Sequence, residues 1–413
     1  MDKFQILLKN FTLEENKNLF NDGEKTDIQF ININGKKYYK FINEFWTSKQ
    51  RKANSLHEIA YRACFKGQLP RFFITNLTNH NDRVYDPFSG RGTTIIEAAL
   101  LGRNVISNDI NPLSKILSKP RLSIPSISEL KERLISIQNN PRLKSEIDLL
   151  MFFHPDTLIE ILSIKKYLKE KKKEKKEDKI DNWIRMVATN RLTGHSKGYF
   201  SVYTLPPNQA VSQKSQIKIN VKRNQKPEYR NVREIIIKKS LNLIKNITNE
   251  QKIILENINK NSKFLSNDAR KTKSIKNNSV KLTVTSPPFL DIVQYTDDNW
   301  LRCWFNDIDA KKIEKKITMS KKIEDWCDVM SDVFKELFRI TKKGGYVAFE
   351  VGEVRNGKIN LDEYVIPLGI NAGFNCKGVV VNKQEFTKTS SIWGIKNNYK
   401  GTNTNRIVLF KKN

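Results

Sequence analysis

The segment 83–109 constrains the fold more strongly than any other part of the sequence. An apolar strand runs into a glycine loop that contains Gly90 and Gly92, an apolar helix follows, and a second strand at 104–108 ends at Asp109. This order predicts a βαβ unit and therefore a parallel sheet covered by helices. The glycines permit positive φ and a close approach of the backbone to a ligand, and the helix N-terminus behind them offers free N–H groups.

Asp109 is the candidate ligand-binding acid of this unit. It stands about 20 residues beyond the glycine loop at a strand end, where a carboxylate is placed to bind the hydroxyl groups of a ribose. The alternative is a helix cap ahead of Pro112. A glycine loop alone is weak evidence for a nucleotide-like ligand. The complete pattern of strand, loop, helix, strand and acid favours the ligand.

A second motif, at 280–289, predicts a strand that ends in a rigid corner. Apolar residues alternate with polar ones up to Ser286, and Pro287 and Pro288 then exclude both a longer ladder and an immediate helix. The Ser286 hydroxyl and the Pro287 carbonyl can accept hydrogen bonds from an exocyclic amine, while the Phe289 ring can stack on a planar base. The alternative is a structural proline turn with a core phenylalanine.

The charge of the chain indicates a polyanionic partner. The formal net charge is +30, from 74 Lys and Arg against 44 Asp and Glu. A lysine-rich solvated surface is the alternative, but this excess is well beyond what solubility needs, so nucleic acid is favoured. No apolar stretch is long enough to span a bilayer, and the N-terminus lacks a signal-peptide pattern. We therefore expect a soluble cytoplasmic protein without a membrane partner.

Four cysteines and four histidines are scattered through the chain without ligand spacing. This pattern is typical of neither a disulfide framework nor a zinc site. The sequence therefore predicts no metal centre.

Residues 1–50 are interpreted as an N-terminal arm. It contains a β-hairpin, because alternating residues at 28–33 precede an Asn34-Gly35 turn. Residues 51–112 carry the glycine loop, and residues 263–413 carry the proline corner and a final antiparallel hairpin at 377–381 and 406–410.

Residues 113–262 interrupt the α/β pattern and are predicted to be an insertion that contacts nucleic acid. Basic, amide and aromatic side chains are interspersed there, as in surfaces that bind phosphates and base edges. The alternative is a loop-rich surface insertion. The candidate contact residues are Arg191, His195, Lys197, Tyr199, Lys222 and Arg223.

The sequence Asp-Pro-Phe-Ser-Gly-Arg-Gly-Thr-Thr at 86–94, together with Thr-Ser-Pro-Pro-Phe at 285–289, resembles the site-specific amino-methyltransferases of DNA. The Ser-Pro-Pro form is similar to the cytosine-N4 subgroup, whereas adenine-N6 members usually carry Asp or Asn in place of Ser286. The resemblance covers residues 51–112 and 263–413. It implies an α/β fold with a Rossmann-like class I methyltransferase sheet, a C-terminal antiparallel hairpin and a mostly helical or irregular basic insertion.

The resemblance also implies the cofactor and the site residues. S-adenosylmethionine would be bound by Asp86, Pro87, Phe88, Gly90, Gly92, Thr93, Asp109, Asp268 and Ala269. Catalysis would fall to Ser286, Pro287, Pro288 and Phe289. The chain departs from the family pattern at His57-Glu58, where His-Pro is usual, and at Phe289, where Tyr is commoner. Stacking survives the second change, but a phenolic hydrogen bond does not.

The implied reaction is direct methyl transfer to the N4 amine of a cytosine flipped out of double-stranded DNA. Target recognition is expected in 113–262. A restriction–modification or epigenetic role follows, with a cognate restriction endonuclease as a candidate partner and a nucleoid-associated location in a bacterial-type cell. Three alternatives stay open: adenine-N6 methylation, RNA base methylation, and a DNA-binding protein with a decayed cofactor pocket. The intact glycines and acids argue against decay.

Overall fold

The computed structural model describes residues 1–13, 25–47, 53–62, 64–206, 209–288, 295–317, 322–354, 359–383 and 405–413. Its strands are β1 Asp27–Ile33, β2 Lys36–Asn43, β3 Arg83–Asp86, β4 Asn104–Asn108, β5 Lys263–Leu265, β6 Val280–Thr285, β7 Thr341–Val351, β8 Glu353–Val354, β9 Ile359–Asn360, β10 Asn375–Asn382 and β11 Asn405–Lys411.

The helices of the first part of the chain are α1 Lys3–Lys9, α2 Gln68–Leu77, α3 Thr93–Leu100, α4 Leu113–Ser118, α5 Ile127–Ser136, α6 Pro155–Lys173, α7 Lys179–Arg191, α8 Gln213–Lys222, α9 Val232–Ile244 and α10 Asn249–Asn261. Those of the second part are α11 Tyr295–Asp298, α12 Trp300–Phe305, α13 Ala310–Glu314, α14 Ile323–Ile340 and α15 Leu361–Asn371.

In the described part of the chain, nine strands form one sheet in the order β1-β2-β10-β11-β7-β6-β3-β4-β5. The strands β5, β4, β3, β6 and β7, which are adjacent in this order, are all parallel to one another. Strand β11 is antiparallel to both of its neighbours, β7 and β10. The predicted α/β fold, with a Rossmann-like parallel sheet and a C-terminal antiparallel hairpin, is confirmed.

The sheet has an apolar core on each face because successive strand residues point to opposite sides. In β7, Ala348 belongs to one core, whereas Val347 and Phe349 belong to the other. The helices of 113–262 share the first core with the sheet, as the buried side chains of Trp183 and Ile236 illustrate. Residues 113–262 are therefore largely helical and pack directly on the sheet.

The N-terminal hairpin forms as predicted and also extends the main sheet. Asn34 and Gly35 both have positive φ, 51° and 78°, which suits a two-residue hairpin turn. Strand β2 pairs in parallel with β10, and at this pairing Gly378 has a φ of 123°. A Cβ at Gly378 would lie 2.6 Å from the carbonyl oxygen of Tyr39, so this close approach requires glycine.

Two helices differ from what their local sequence predicts. Ser55 with Glu58 three residues later predicts a capped helix, but the structure has a single 3-10 turn, Ser55–His57, and the carbonyls of Leu56 and Ile59 accept from the buried Arg121 and from Arg91. The helical pattern that starts at residue 149 becomes a helix only from Pro155, which occupies the first position of α6.

Candidate active-site cleft

One cleft at the carboxyl edge of the sheet brings together most of the predicted site residues. The loops that follow β3, β4, β5 and β6 meet there because these strands are adjacent and parallel. The cleft contains about 1060 Å³ of empty space, part of it open to solvent. The predicted site residues that line it are Asp86, Pro87, Phe88, Gly90, Thr93, Asp109, Asp268, Ala269, Ser286 and Pro288.

Asp86 lies at the end of β3 and links the two halves of the cleft. Its Oδ1 accepts hydrogen bonds from Thr285 Oγ1 at 2.6 Å and from the Phe88 N–H at 3.1 Å. The side chain is buried, and burial raises its pKa to about 7 despite these donors. The residue before the proline corner is thus bonded directly to the first residue of the glycine loop.

Asp109 holds the glycine loop from the neighbouring strand. Its Oδ2 accepts from the Gly90 N–H at 2.8 Å, and its Oδ1 accepts from the Asn111 N–H at 2.9 Å. Burial raises the pKa of Asp109 to about 6. The N-cap residue of α4 is Pro112, and the Leu113 N–H that follows it donates to Asn111 Oδ1. Asp109 therefore lies in the cleft wall and is not the helix cap.

Asp86 and Asp109 give the cleft two carboxyl groups that lack a positively charged partner among the described residues. Neither carboxylate forms an ion pair within the described residues. Burial disfavours the charged form of a carboxyl group, and a nearby positive charge restores it. The chemistry of these two groups therefore suits a ligand that carries positive charge.

The two glycines of the loop face different neighbours. Gly90 has a φ of 49° and faces the ring of Tyr61 across the cleft, where a Cβ would lie 3.5 Å from the nearest ring atom. Gly92, with a φ of 80°, does not line the cleft. A Cβ there would lie 2.5 Å from the Cβ of Ser118, so Gly92 permits the close packing of the loop on α4.

Two arginines that the sequence reasoning did not single out hold residues 53–62 and 64–65 against the glycine loop, at the side of the cleft. Arg91 donates to the carbonyls of Ile59 and Phe65 at 3.0 and 3.3 Å. Arg121, which is fully buried, donates to the carbonyls of Leu56 and Arg91. As a result, Tyr61, Cys64 and Phe65 form part of the cleft wall. The only sequence signal was an arginine between the two loop glycines.

Asp268 and Ala269 lie where the loop after β5 reaches the cleft. Ala269 is buried, and the half-exposed Asp268 accepts hydrogen bonds from Arg270 at Nε (3.0 Å) and Nη2 (2.6 Å). The hydrogen bond from Arg270 is the main reason that the pKa of Asp268 is lowered. The buried Asn108 fixes this loop by donating to the carbonyls of Pro87 and Asn267.

The proline corner follows β6 as predicted. Pro287 is buried behind the cleft, and the carbonyl of Pro288 accepts a hydrogen bond from Trp326 Nε1 at 2.8 Å. The Ser286 hydroxyl donates to the carboxylate of Glu350, and Asn405 Nδ2 donates to Glu350 Oε1 at 2.9 Å. Phe289 lies outside the described residues.

Glu350 is a site residue that the sequence reasoning missed. It lies on β7, next to β6, and only 7% of its side chain is exposed. Burial raises its pKa, and the hydrogen bonds from Ser286 and Asn405 oppose that rise. An acid within an otherwise apolar strand was the available signal, since buried carboxylates are rare unless they have partners.

The predicted nucleic-acid contacts fall into two neighbouring groups on the insertion. In the first, the Arg191 guanidinium lies 3.9 Å from the centre of the Tyr199 ring, with Lys197 exposed nearby; the His195 ring also adjoins Tyr199. In the second, Arg223 stacks at 3.9 Å on Tyr203, and the exposed Lys222 precedes it at the end of α8.

Gly194 joins these two groups. It pairs with Tyr203, while a Cβ on it would lie 2.4 Å from the Tyr199 ring.

The described residues contain no group of three or more His, Cys, Asp or Glu side chains that could hold a metal ion. None of the described helices is both long and apolar enough to cross a membrane.

Sequence comparison relates part of the chain to enzymes that methylate DNA. Residues 6–119 match a family described as DNA methylase, N6_N4_Mtase. The chain is 29% identical over 137 residues to the Type II methyltransferase M.MjaII of Methanocaldococcus jannaschii, covering 32% of this chain and 26% of that protein. It is 24% identical over 324 residues to the Type II methyltransferase M.BsoBI of Geobacillus stearothermophilus, covering 68% and 60%.

Another relative is the Type II methyltransferase M.MvaI of Kocuria varians, which is 30% identical over 115 residues, 27% of this chain and 24% of that protein. The chain thus spans less than two thirds of the length of each of these relatives.

Among solved structures, the chain is similar to a SAM-dependent methyltransferase from Methanosarcina mazei, with 10% identity, 82% and 96% coverage and a TM-score of 0.32. It is also similar to a TehB-like SAM-dependent methyltransferase from Corynebacterium glutamicum, with 6% identity, 85% and 90% coverage and a TM-score of 0.31. Because these TM-scores are low, the fold is assigned from the strand order of this chain and not from the similarity to these structures. The part that carries the glycine loop, within 6–119, is the part similar to the DNA methylase family.

Proposed function

We propose that this protein is an S-adenosylmethionine-dependent DNA methyltransferase that modifies the exocyclic N4 amine of a flipped cytosine. The observation that carries the proposal is the single cleft in which the glycine loop and the Ser286 corner meet, joined by the hydrogen bond from Thr285 to Asp86. The match of residues 6–119 to the DNA methylase family supports the same reaction class.

The cofactor proposal is supported by the charge of the cleft. S-adenosylmethionine, when bound, supplies an electrophilic methyl group on a positively charged sulfur, and it also carries an ammonium group. The buried Asp86 and the partly buried Asp109 have no ion-pair partners among the described residues, so a cationic ligand would stabilise their charged forms. Gly90 leaves the loop backbone open to the cleft. Asp109 orients this loop through the Gly90 N–H.

The proposal that the methyl group is transferred to an amine is supported by the Ser286 corner, which lies on the other side of the cleft. Because the Ser286 hydroxyl hydrogen is directed to Glu350, the lone pairs of its oxygen are free to accept from the amine of a base. The nitrogen lone pair of cytosine N4 is delocalised into the ring, so positioning supplies much of the rate enhancement. As the nitrogen loses a proton, that proton can pass to Ser286 while the Ser286 proton passes to Glu350.

The same geometry suits a second function, methylation of adenine N6. Ser286 and the proline corner would orient either exocyclic amine, and the name of the matched family includes both N6 and N4. We favour cytosine because Ser286 stands where adenine enzymes of the resembled group usually carry Asp or Asn.

We assign DNA recognition to the insertion 113–262 and retain the other boundaries, with 1–50 as an arm and 51–112 and 263–413 as the cofactor and catalytic halves. The insertion carries the Arg191–Tyr199 and Arg223–Tyr203 stacks, and double-stranded DNA is the proposed partner. The similarity to Type II methyltransferases supports a restriction–modification role with a cognate endonuclease as a further partner.

Mass spectrometry of nucleosides tests the proposal. Purified protein is incubated with labelled S-adenosylmethionine and either genomic DNA or RNA, and the products are digested. Label in N4-methylcytosine from DNA is the expected result. Label in N6-methyladenine would establish the alternative base, and label confined to RNA would refute the DNA assignment. DNA binding without any methylated product would favour a decayed site.

A further inference from the structure

Another pocket lies within 113–262, between residues 191–198 and the segment 228–242, which includes most of α9, and we call it the basic pocket. It is separate from the cleft, and basic side chains outnumber acidic ones in its lining. The charged residues that line it are Arg191, Lys197, Arg230, Lys238, Lys239, Glu228 and Glu234.

Arg191 is held rigidly in this pocket without a direct ion pair among the described residues, and the charge of Glu58 acts on it only from a distance. Only 8% of the residue is exposed, and its guanidinium is stacked on the Tyr199 ring at 3.9 Å. One of its terminal nitrogens donates to Asn190 Oδ1 at 2.6 Å. Its Nε is buried without a hydrogen-bond acceptor, and within the described residues it forms no ion pair. A buried donor in this state is unfavourable unless a ligand or solvent satisfies its group.

Lys239 is a second buried cation in the same pocket. It is 8% exposed, and its Nζ lies 3.5 Å from Glu58 Oε2, the acid that also pairs with Lys245 at 3.3 Å. Burial, followed by the charge of Arg191, lowers the pKa of Lys239 to about 8. The partly exposed carboxylate of Glu58 is therefore shared between Lys239 and Lys245, and the pocket keeps an excess of positive charge.

The remaining charged residues build the wall and the rim. Arg230 donates to the carbonyls of Ser196 and Tyr199, at 3.1 and 2.9 Å, so its guanidinium fixes the loop. Glu228 and Glu234 are exposed to solvent, where water screens their charge. Their presence does not neutralise the two buried cations.

The basic pocket lies close to the wall of the cleft. The buried Arg302 lies near both Tyr61, which lines the cleft, and Arg191, which lines the pocket and whose charge acts on it. Its guanidinium carbon is 5.8 Å from the centre of the Tyr61 ring. A group bound in the pocket would thus be fixed relative to the site of methyl transfer.

We propose that the basic pocket binds one phosphodiester group of the DNA strand, an assignment that rests on the proposed function. A phosphate would place negative charge beside the two buried cations, Arg191 and Lys239, with Lys197 and Lys238 at the rim. The planar fork of arginine matches phosphate oxygens, and a preordered guanidinium loses little freedom on binding. Phosphate contacts of this kind fix the register of a protein on the duplex without reading its sequence.

The test combines pocket variants with neutralised DNA. Duplexes that contain the methylated site, as mapped from the modified DNA, carry one uncharged methylphosphonate linkage at each position in turn. Neutralising the bound linkage should weaken binding to the parent protein about tenfold. The same linkage should have little effect on Arg191→Gln/Lys239→Gln, which loses both buried cations, and a reduced effect on Lys197→Gln/Lys238→Gln, which loses only the rim cations. Both variants should give a shallower slope of log affinity against log salt, by about one counterion.

The variant Lys197→Gln/Lys238→Gln keeps the test decisive if the variant of the two buried residues fails to fold, because Lys197 and Lys238 are exposed and their replacement should not disturb folding. Lys172→Gln/Lys173→Gln, at two exposed positions on α6, removes the same charge elsewhere, and each methylphosphonate linkage should weaken its binding as much as it weakens binding to the parent. Equal linkage effects in the parent and both pocket variants would overturn the proposal. So would saturable binding of inorganic phosphate to the pocket without any linkage effect, since the pocket would then serve a free anion.

Calorimetry with S-adenosylmethionine separates failure of this inference from failure of the proposed function. All variants should bind the cofactor like the parent. A parent protein that binds the cofactor but no DNA overturns the DNA methyltransferase assignment itself, and the phosphodiester assignment with it.

Discussion

The hydroxyl of Ser286 donates a hydrogen bond to the buried carboxylate of Glu350 on the adjacent strand. This pair orients the serine oxygen toward the cleft, and it gives the corner a proton acceptor that no short motif contains. We expect Ser286→Ala and Glu350→Gln each to lower the single-turnover methylation rate by roughly ten- to a thousandfold at saturating cofactor, by analogy with the loss of one preorganised hydrogen bond.

The double variant should be little slower than either single one, because the two residues act as a unit. Glu363→Gln, an exposed acid on α15, is the matched control and should keep the parent rate. Additive losses in the double variant would show that Glu350 acts independently of Ser286.

Cofactor affinity should depend on pH through the two acids of the cleft that have raised pKa values, Asp86 and Asp109. The pKa of Asp86 is about 7 and that of Asp109 about 6, so both lose their negative charge as the pH falls through this range. A cationic ligand binds the charged forms better, and affinity should therefore fall from pH 8 to pH 5. Calorimetry across this range measures the effect. Asp109→Asn should flatten the lower part of the profile, whereas the exposed Asp332→Asn should not change it.

The same acids should make the ligand-free protein less stable as the pH rises. Their folded-state pKa values lie above the ordinary value of 3.8. Their contribution to the free energy of unfolding is therefore greatest below about pH 4 and declines up to about pH 7. Denaturant titrations of the parent and Asp86→Asn should diverge over this window, and saturating S-adenosylmethionine should reduce the difference.

The two loop glycines should respond differently to alanine. Both require a left-handed backbone, which costs a non-glycine residue about 1–2 kcal/mol. Gly92→Ala also forces a contact with Ser118, so overpacking should remove about 1–3 kcal/mol more, and Ser118→Gly should restore that part. Gly90→Ala meets only an ordinary contact with Tyr61, and its main effect should be on cofactor affinity. Thermal denaturation and calorimetry distinguish the two.

Arg91 should control the segment that lies at the side of the cleft. Arg91→Met removes donors to the carbonyls of Ile59 and Phe65. We expect faster hydrogen exchange across 53–65 and weaker cofactor binding. Arg142→Met, at an exposed position in 113–262, is the control. Unchanged exchange in 53–65 would show that other contacts hold the segment.

Local patterns were sufficient to predict the part of the site that lies on single segments. The glycine loop and the Ser286 corner each follow one strand, so periodicity and proline chemistry located them. Their meeting follows from the adjacency of β3 and β6. Glu350 and Arg121 could not be assigned roles, because their partners are distant in sequence and depend on strand order and on the packing of α4 against the loop.

The parallel pairing of β2 with β10 joins the two ends of the chain within one sheet. Without the N-terminal hairpin, β10 would be an edge strand whose buried valines, Val379 to Val381, and unpaired backbone groups could recruit another chain. By pairing with β10, the hairpin therefore covers an edge through which the protein could otherwise self-associate. Since β10 is synthesised long after β2, this protection cannot be in place until β10 has been made, and β2 must wait for its parallel partner while the chain between them is synthesised.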